Sequence, residues 1–80
     1  MTIIYSKSAA KAISRMDTDT KQRLKHGIDA LPVGDIKKLQ GHTELYRLRI
    51  GDWRIVFSRP DDNTLLIEKI APRGDAYKGV

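Results

Sequence analysis

Leu45-Tyr46-Arg47-Leu48-Arg49-Ile50 and Trp53-Arg54-Ile55-Val56-Phe57 are two runs with a period of two, separated only by Gly51-Asp52. Two residues of this kind between such runs are a β-hairpin signal, because a glycine supplies the backbone twist the tight turn needs. The turn then fixes the pairing: Ile50 faces Trp53, Leu48 faces Ile55 and Tyr46 faces Phe57. All six are apolar or aromatic and fall on one side of the ribbon. A slip of one residue would send them to the opposite side, so the register is self-consistent.

Upstream the period changes. Thr2 to Tyr5 reads as a short strand. Ser6-Lys7-Ser8 offers a helix cap, and Ala9, Ile13 and Met16 recur at helical spacing on one face. Asp17-Thr18-Asp19 interrupts that pattern and caps a second helix, with acidic residues where the helix dipole favours them. Leu24, Ile28 and Leu31 continue the same apolar face, and Pro32 with Val33-Gly34 ends it. Downstream, Pro60-Asp61-Asp62-Asn63 reads as a turn and Thr64 to Ala71 as another strand. The expected fold is therefore one α+β domain over residues 1–80. It has an N-terminal strand, a two-helix hairpin and an antiparallel three-stranded meander, with the helices packed on one sheet face.

Composition narrows the function classes. The chain has 80 residues and no cysteine, which excludes disulfides, thiolate metal sites and a cysteine nucleophile. Two histidines sixteen positions apart make a poor ligand set, so neither a metal nor another cofactor is expected. No stretch approaches the roughly 20 apolar residues that span a bilayer. The start, Met1 to Tyr5, lacks the basic opening of a signal peptide, so a cytoplasmic location is expected and no membrane partner. Fifteen Lys and Arg against ten Asp and Glu give a net charge of +5. Such a field favours polyanions: nucleic acid, or an acidic protein segment.

The hairpin register also predicts a second face. Arg47, Arg49 and Arg54 lie opposite the apolar six, with Arg49 directly across from Arg54. Like charges so paired cost a fraction of a kcal/mol up to roughly 1. Two readings stand beside each other. One is a solvated sheet face, with the arginines splayed into water and meeting Glu68. The other is a phosphate site, because clustered guanidinium groups present planar, multidentate donors that match phosphate oxygens.

Three segments together resemble the RelE/ParE toxin superfamily. They are Ile36-Lys37-Lys38-Leu39-Gln40-Gly41, the hairpin Leu45 to Phe57, and the ending Ile70-Ala71-Pro72-Arg73-Gly74-Asp75-Ala76-Tyr77. The hairpin carries the resemblance most specifically. It implies a RelE-like toxin of a type II toxin–antitoxin system, an endoribonuclease that cleaves mRNA on the ribosome or free and so inhibits translation. It further implies a cognate antitoxin that covers the site with an acidic helix or extended segment, and operator DNA bound only through that antitoxin. In the same superfamily, ParE-like members inhibit DNA gyrase instead. A catalytically inert module that only binds its antitoxin is a third class.

Position by position, the catalytic roles of RelE-like nucleases fall on Arg47, Arg49, Arg54, Arg73 and Tyr77. The implied reaction is attack by the neighbouring 2′-hydroxyl, giving a 2′,3′-cyclic phosphate and a 5′-hydroxyl end. Arginines suit the middle of that reaction, where negative charge builds on phosphorus oxygens. Arg54 and Arg73 would bind the scissile phosphate, and Tyr77 would stack on a base or help move a proton. Lys37, Lys38, His42 and Lys78 are candidate RNA contacts. The general base stays open between Tyr77 and His42, since arginine does not deprotonate. Pro72 stands where family members often carry histidine or lysine, which removes one proton donor or phosphate contact. His26 reads as a structural or exposed helix residue, Trp53 and Tyr46 as core, and Gly41 as a turn residue.

Overall fold

A computed structural model describes residues 2–39 and 45–72. The chain runs β1 (Thr2–Tyr5), α1 (Lys7–Ser14), α2 (Thr18–Asp29), β2 (Asp35–Lys38), β3 (Leu45–Ile50), β4 (Trp53–Asp61) and β5 (Thr64–Pro72). The β3–β4 hairpin has the register its alternation requires, with Ile50 opposite Trp53, Leu48 opposite Ile55 and Tyr46 opposite Phe57. Gly51 holds the turn at φ +58°, a left-handed conformation that costs glycine nothing.

The meander β3–β4–β5 is the centre of a wider sheet ordered β1-β5-β4-β3-β2. β1 adds to one edge, parallel to β5, with Tyr5 beside Ile67. β2 adds to the other, antiparallel to β3, with Ile36 beside Leu48. The sequence pattern does not announce β2: three of its four residues are charged, and only Ile36 supplies an apolar contact to the core. Its strand geometry comes from backbone pairing with β3. The turn before β5 is also tighter than the Pro60–Asn63 composition suggests. β4 continues through Pro60 to Asp61, which pairs with Thr64 and leaves Asp62-Asn63 as the loop. Asp61 Oδ1 accepts the Asn63 amide there at 2.8 Å.

Both helices start where their caps sit. Ser6 Oγ accepts the Ala9 amide at 3.0 Å and donates to the Glu68 carbonyl at 2.8 Å, which ties the start of α1 to β5. Asp17 accepts the Thr20 amide at 3.1 Å and the Thr20 hydroxyl at 2.6 Å. These bonds hold the Asp17 carboxyl below the usual aspartate range. The helices lie on one sheet face, where Ala9, Leu24, Ile28 and Leu31 bury against Leu48, Ile55, Phe57, Leu65, Ile67 and Ile70. Tyr46 stacks on Phe57 with ring centroids 5.5 Å apart, and Tyr46 and Trp53 both pack against this core. Among the described residues no helix is long and apolar enough to cross a membrane.

Gly27 lies where α2 passes close to Ile50 of β3. A Cβ there would overlap Ile50 Cδ1 and sit 3.2 Å from its Cγ1. Helix propensity alone favours alanine over glycine by about 1 kcal/mol, so the contact decides the sign. Gly27→Ala is expected to lower Tm in the wild-type background. In an Ile50→Val background, which removes Cδ1, the same change should be neutral or stabilising; thermal melts of the four proteins read the coupling. Asp17→Ala is expected to lower Tm at neutral pH. Because the folded-state carboxyl titrates below its unfolded value, that difference is full above the unfolded value and disappears as pH falls through the folded one. Melts of both proteins across the acid range check it.

Candidate functional site

Cross-strand pairing carries two rows of side chains over the sheet face turned away from the helices. One row runs Asp35, Arg49, Arg54 and Ala71; the other runs Lys37, Arg47, Val56 and Lys69. Strands are about 4.8 Å apart, and residues two apart in a strand are separated by roughly 7 Å. Arg47, Arg49, Arg54 and Lys37 therefore rise from one small area across three strands. Val56 lies among them and is fully buried.

The guanidinium groups are not simply splayed. Arg47 Nη1 lies 3.4 Å from Asp35 Oδ1 and donates to the Asp35 carbonyl, also at 3.4 Å. The Arg47 side chain is only 17% accessible, whereas its aspartate partner is 58% accessible. Arg54 Nη1 turns toward the hairpin end, where it donates to the carbonyls of Gly51 and Trp53 at 3.3 Å each. That turn is the physical answer to the like-charge pair, since it directs the Arg54 head toward partial negative charge. Arg49 is exposed. All these bonds are long for charge-assisted ones, so a phosphate could draw the same donors at modest cost.

Of the residues expected to act, the structure brings together Arg47, Arg49, Arg54 and Lys37. Lys38 goes elsewhere: it pairs with Tyr46, on the side that faces the helices, so it does not join this cluster. The period of two that puts Lys37 with the arginines removes its neighbour. His42, Arg73, Tyr77 and Lys78 lie outside the described residues, as does Gly41. His26 is exposed on α2. Glu68 sits where the β4–β5 register shifts, its carbonyl held by Ser6. Among the described residues, the carboxylate that meets an arginine of this face is Asp35 instead. Sequence reading missed it because its approach to Arg47 depends on β2; treating Asp35-Ile36-Lys37 as an alternating strand would have found it.

Two cavities among the described residues lie on the helix side of the sheet. One of about 240 Å³ is lined by Pro32, Gly34, Ile36, Tyr46, Phe57, Arg59 and Leu65. A second, about 210 Å³, lies among Tyr5, Ala10, Ile13 and Lys25. Burial, and then the charge of Asp29, push the Tyr5 phenol above its usual range, so it stays protonated. Among the described residues the candidate site is a cluster of cations on a sheet face, suited to a polyanion.

Relatives carry the same architecture. The chain superimposes on a chain of the archaeal RelE–RelB complex from Pyrococcus horikoshii OT3 with a TM-score of 0.74 and 30% identity, over 94% of this chain and 97% of that one. It belongs to the RelE-like toxin superfamily. Two further solved structures share the fold. They are the RelB–RelE antitoxin–toxin complex of Methanococcus jannaschii (TM-score 0.72, 23% identity, 92% of this chain and 94% of that one) and the intact Escherichia coli RelBE complex (0.70, 14%, 89% and 94%). In sequence, a Methanocaldococcus jannaschii protein bearing the toxin name RelE1 is 47% identical over 45 residues, 55% of this chain. The chain aligns with about half the length of that relative. No family model matches the sequence.

In this RelE-like sheet the Arg49–Arg54 pairing is a local cost. Arg49→Gln removes that repulsion together with the attraction to Asp35 on its other flank, so the two offset and stability is expected to change by less than about 0.5 kcal/mol at low ionic strength. The change should shrink further as salt screens both pairs. Chemical denaturation at two salt concentrations measures it.

Proposed function

We propose that this chain is the toxin of a type II toxin–antitoxin pair and acts as an endoribonuclease on mRNA. The observation that carries the reading is the cluster of Arg47, Arg49, Arg54 and Lys37 on the sheet face away from the helices. Membership in the RelE-like superfamily supports it, as does the net charge of +5. A gyrase binder has no need of a phosphate constellation; a nuclease does. The cytoplasm, where messages are translated, is the place of action.

The chemistry asked of these residues is electrostatic. As the 2′-oxygen attacks phosphorus, negative charge accumulates on the non-bridging oxygens, and fixed positive groups lower the energy of that state more than the ground state. Arg54 would bind the scissile phosphate with its head already restrained by the hairpin carbonyls, and Arg47 and Arg49 would flank it. Arg73 would add a further phosphate contact, and Tyr77 a stacking surface or proton relay. Lys37 would hold a neighbouring phosphate. The same surface suits an acidic segment of an antitoxin, and the similarity to RelE–RelB complexes supports such a partner.

Primer extension on a defined message, with and without ribosomes, tests the activity. Wild type is expected to produce discrete 5′-hydroxyl ends. Arg54→Ala should cut at least about tenfold more slowly while melting as a folded protein, since preorganised charge of this kind is worth roughly 10²–10³ in rate when removed. Arg73→Ala should behave alike. Cuts that need ribosomes make the enzyme translation-dependent; cuts on naked RNA remove the ribosome from its mechanism. Folded wild type that cuts neither substrate would reject the nuclease.

A further inference from the structure

We infer that Asp35 is the general base of this nuclease, the group that takes the 2′-hydroxyl proton; the assignment rests on the ribonuclease reading above. Cleavage by 2′-oxygen attack needs a proton acceptor beside the scissile phosphate. The arginines that dominate this face remain charged and accept no proton. Among the described residues, Asp35 is the carboxylate paired with an arginine of this face; Glu68 shares the face by alternation with Ile67 but lies on β5, at the bulge opposite Val56, beyond the arginine-bearing strands.

Its placement fits the task. Asp35 is the direct cross-strand partner of Arg49, which is in turn the partner of Arg54. A phosphate held by Arg49 and Arg54 therefore lies next to the Asp35 carboxylate, on the same face. Arg47 engages Asp35 through Oδ1 and through the backbone carbonyl, which fixes the carboxylate at the first residue of β2. Asp35 nevertheless stays 58% accessible, against 17% for the Arg47 side chain, so the arginine is the buried half of the pair and the carboxylate the presented half. Lys37 on its own strand and Arg47 and Arg49 on β3, the strand that pairs with it, surround the group with positive charge. That arrangement both draws the RNA backbone to Asp35 and stabilises the charge formed after proton removal.

The step balances without a metal or a redox partner. The 2′-O–H bond breaks and its proton passes to an Asp35 oxygen. The 2′-oxygen forms a bond to phosphorus, and the bond from phosphorus to the 5′-oxygen breaks. The leaving oxygen keeps that electron pair and takes a proton from solvent, which leaves a 2′,3′-cyclic phosphate and a 5′-hydroxyl. Asp35 then returns its proton to water.

Asp35→Asn tests the assignment, because asparagine keeps the carbonyl oxygen that Arg47 contacts but accepts no proton. The measurements are single-turnover cleavage, under whichever ribosome condition wild type requires, and binding of a message with a single 2′-deoxy nucleotide at the cut site. The expected result is a rate at least about a hundredfold below wild type, the scale of general-base catalysis, with affinity for the 2′-deoxy message within about threefold. Asp35→Ala should be as slow as Asp35→Asn. If Asp35→Asn cuts nearly as fast as wild type while Asp35→Ala is slow, Asp35 only positions Arg47 and the assignment is overturned. A loss of affinity as large as the loss of rate overturns it equally. Wild type that cuts no RNA overturns the nuclease reading itself, an outcome distinct from either of these.

Discussion

The pairing register of β3 with β4 is the constraint on which the rest depends. With Gly51-Asp52 as a two-residue turn, the backbone has one way to pair, and every side chain of the hairpin is assigned a face. Tyr46, Leu48, Ile50, Trp53, Ile55 and Phe57 then form the floor on which the helices bury Ala9, Leu24 and Ile28. Arg47, Arg49 and Arg54 are sent to the opposite face by the same alternation. One geometric fact therefore builds the core and concentrates the charge. A shifted register would place arginines under the helices, where unpaired charge costs several kcal/mol.

Concentrating positive charge on a sheet creates a repulsion that the fold relieves locally. Arg54 bends toward carbonyls at the turn, and Arg47 is held by Asp35 from the neighbouring edge strand. Both devices restrain long side chains whose freedom would otherwise be lost on binding any ligand. They use carbonyls and one carboxylate as weak, long-range partners, so the donors remain available to a phosphate. The edge strand β2 thus does more than cover the side of β3. It sets a lysine and an aspartate beside the arginines and gives the face both signs of charge.

Much of the fold could be read locally. The hairpin, the caps at Ser6 and Asp17, and the apolar spacing of the helices are short-range patterns that the structure reproduces, except that Met16 and Leu31 reach the core from just beyond the ends of α1 and α2. β2 could not be read that way, because Asp-Ile-Lys-Lys has no pattern of its own and becomes a strand only when β3 offers its edge. The extension of β4 through Pro60 to Asp61 has a similar origin: turn-forming residues were drawn into pairing with β5. At the site, the arginines were legible since turn length and period suffice to place them. Lys37 and Lys38 were not separable until a strand direction gave them opposite faces.

What the sequence by itself determined was the face each residue of the hairpin and helices would occupy, because alternation, helical spacing and turn length act over a few residues. What only the tertiary structure decided was which elements lie side by side. Long-range pairing brought β1 against β5 and β2 against β3. No local pattern encodes those neighbours, since they follow from burying one common core and satisfying the backbone along two sheet edges. For that reason the three arginines belong to the sequence, and the aspartate beside them belongs to the fold.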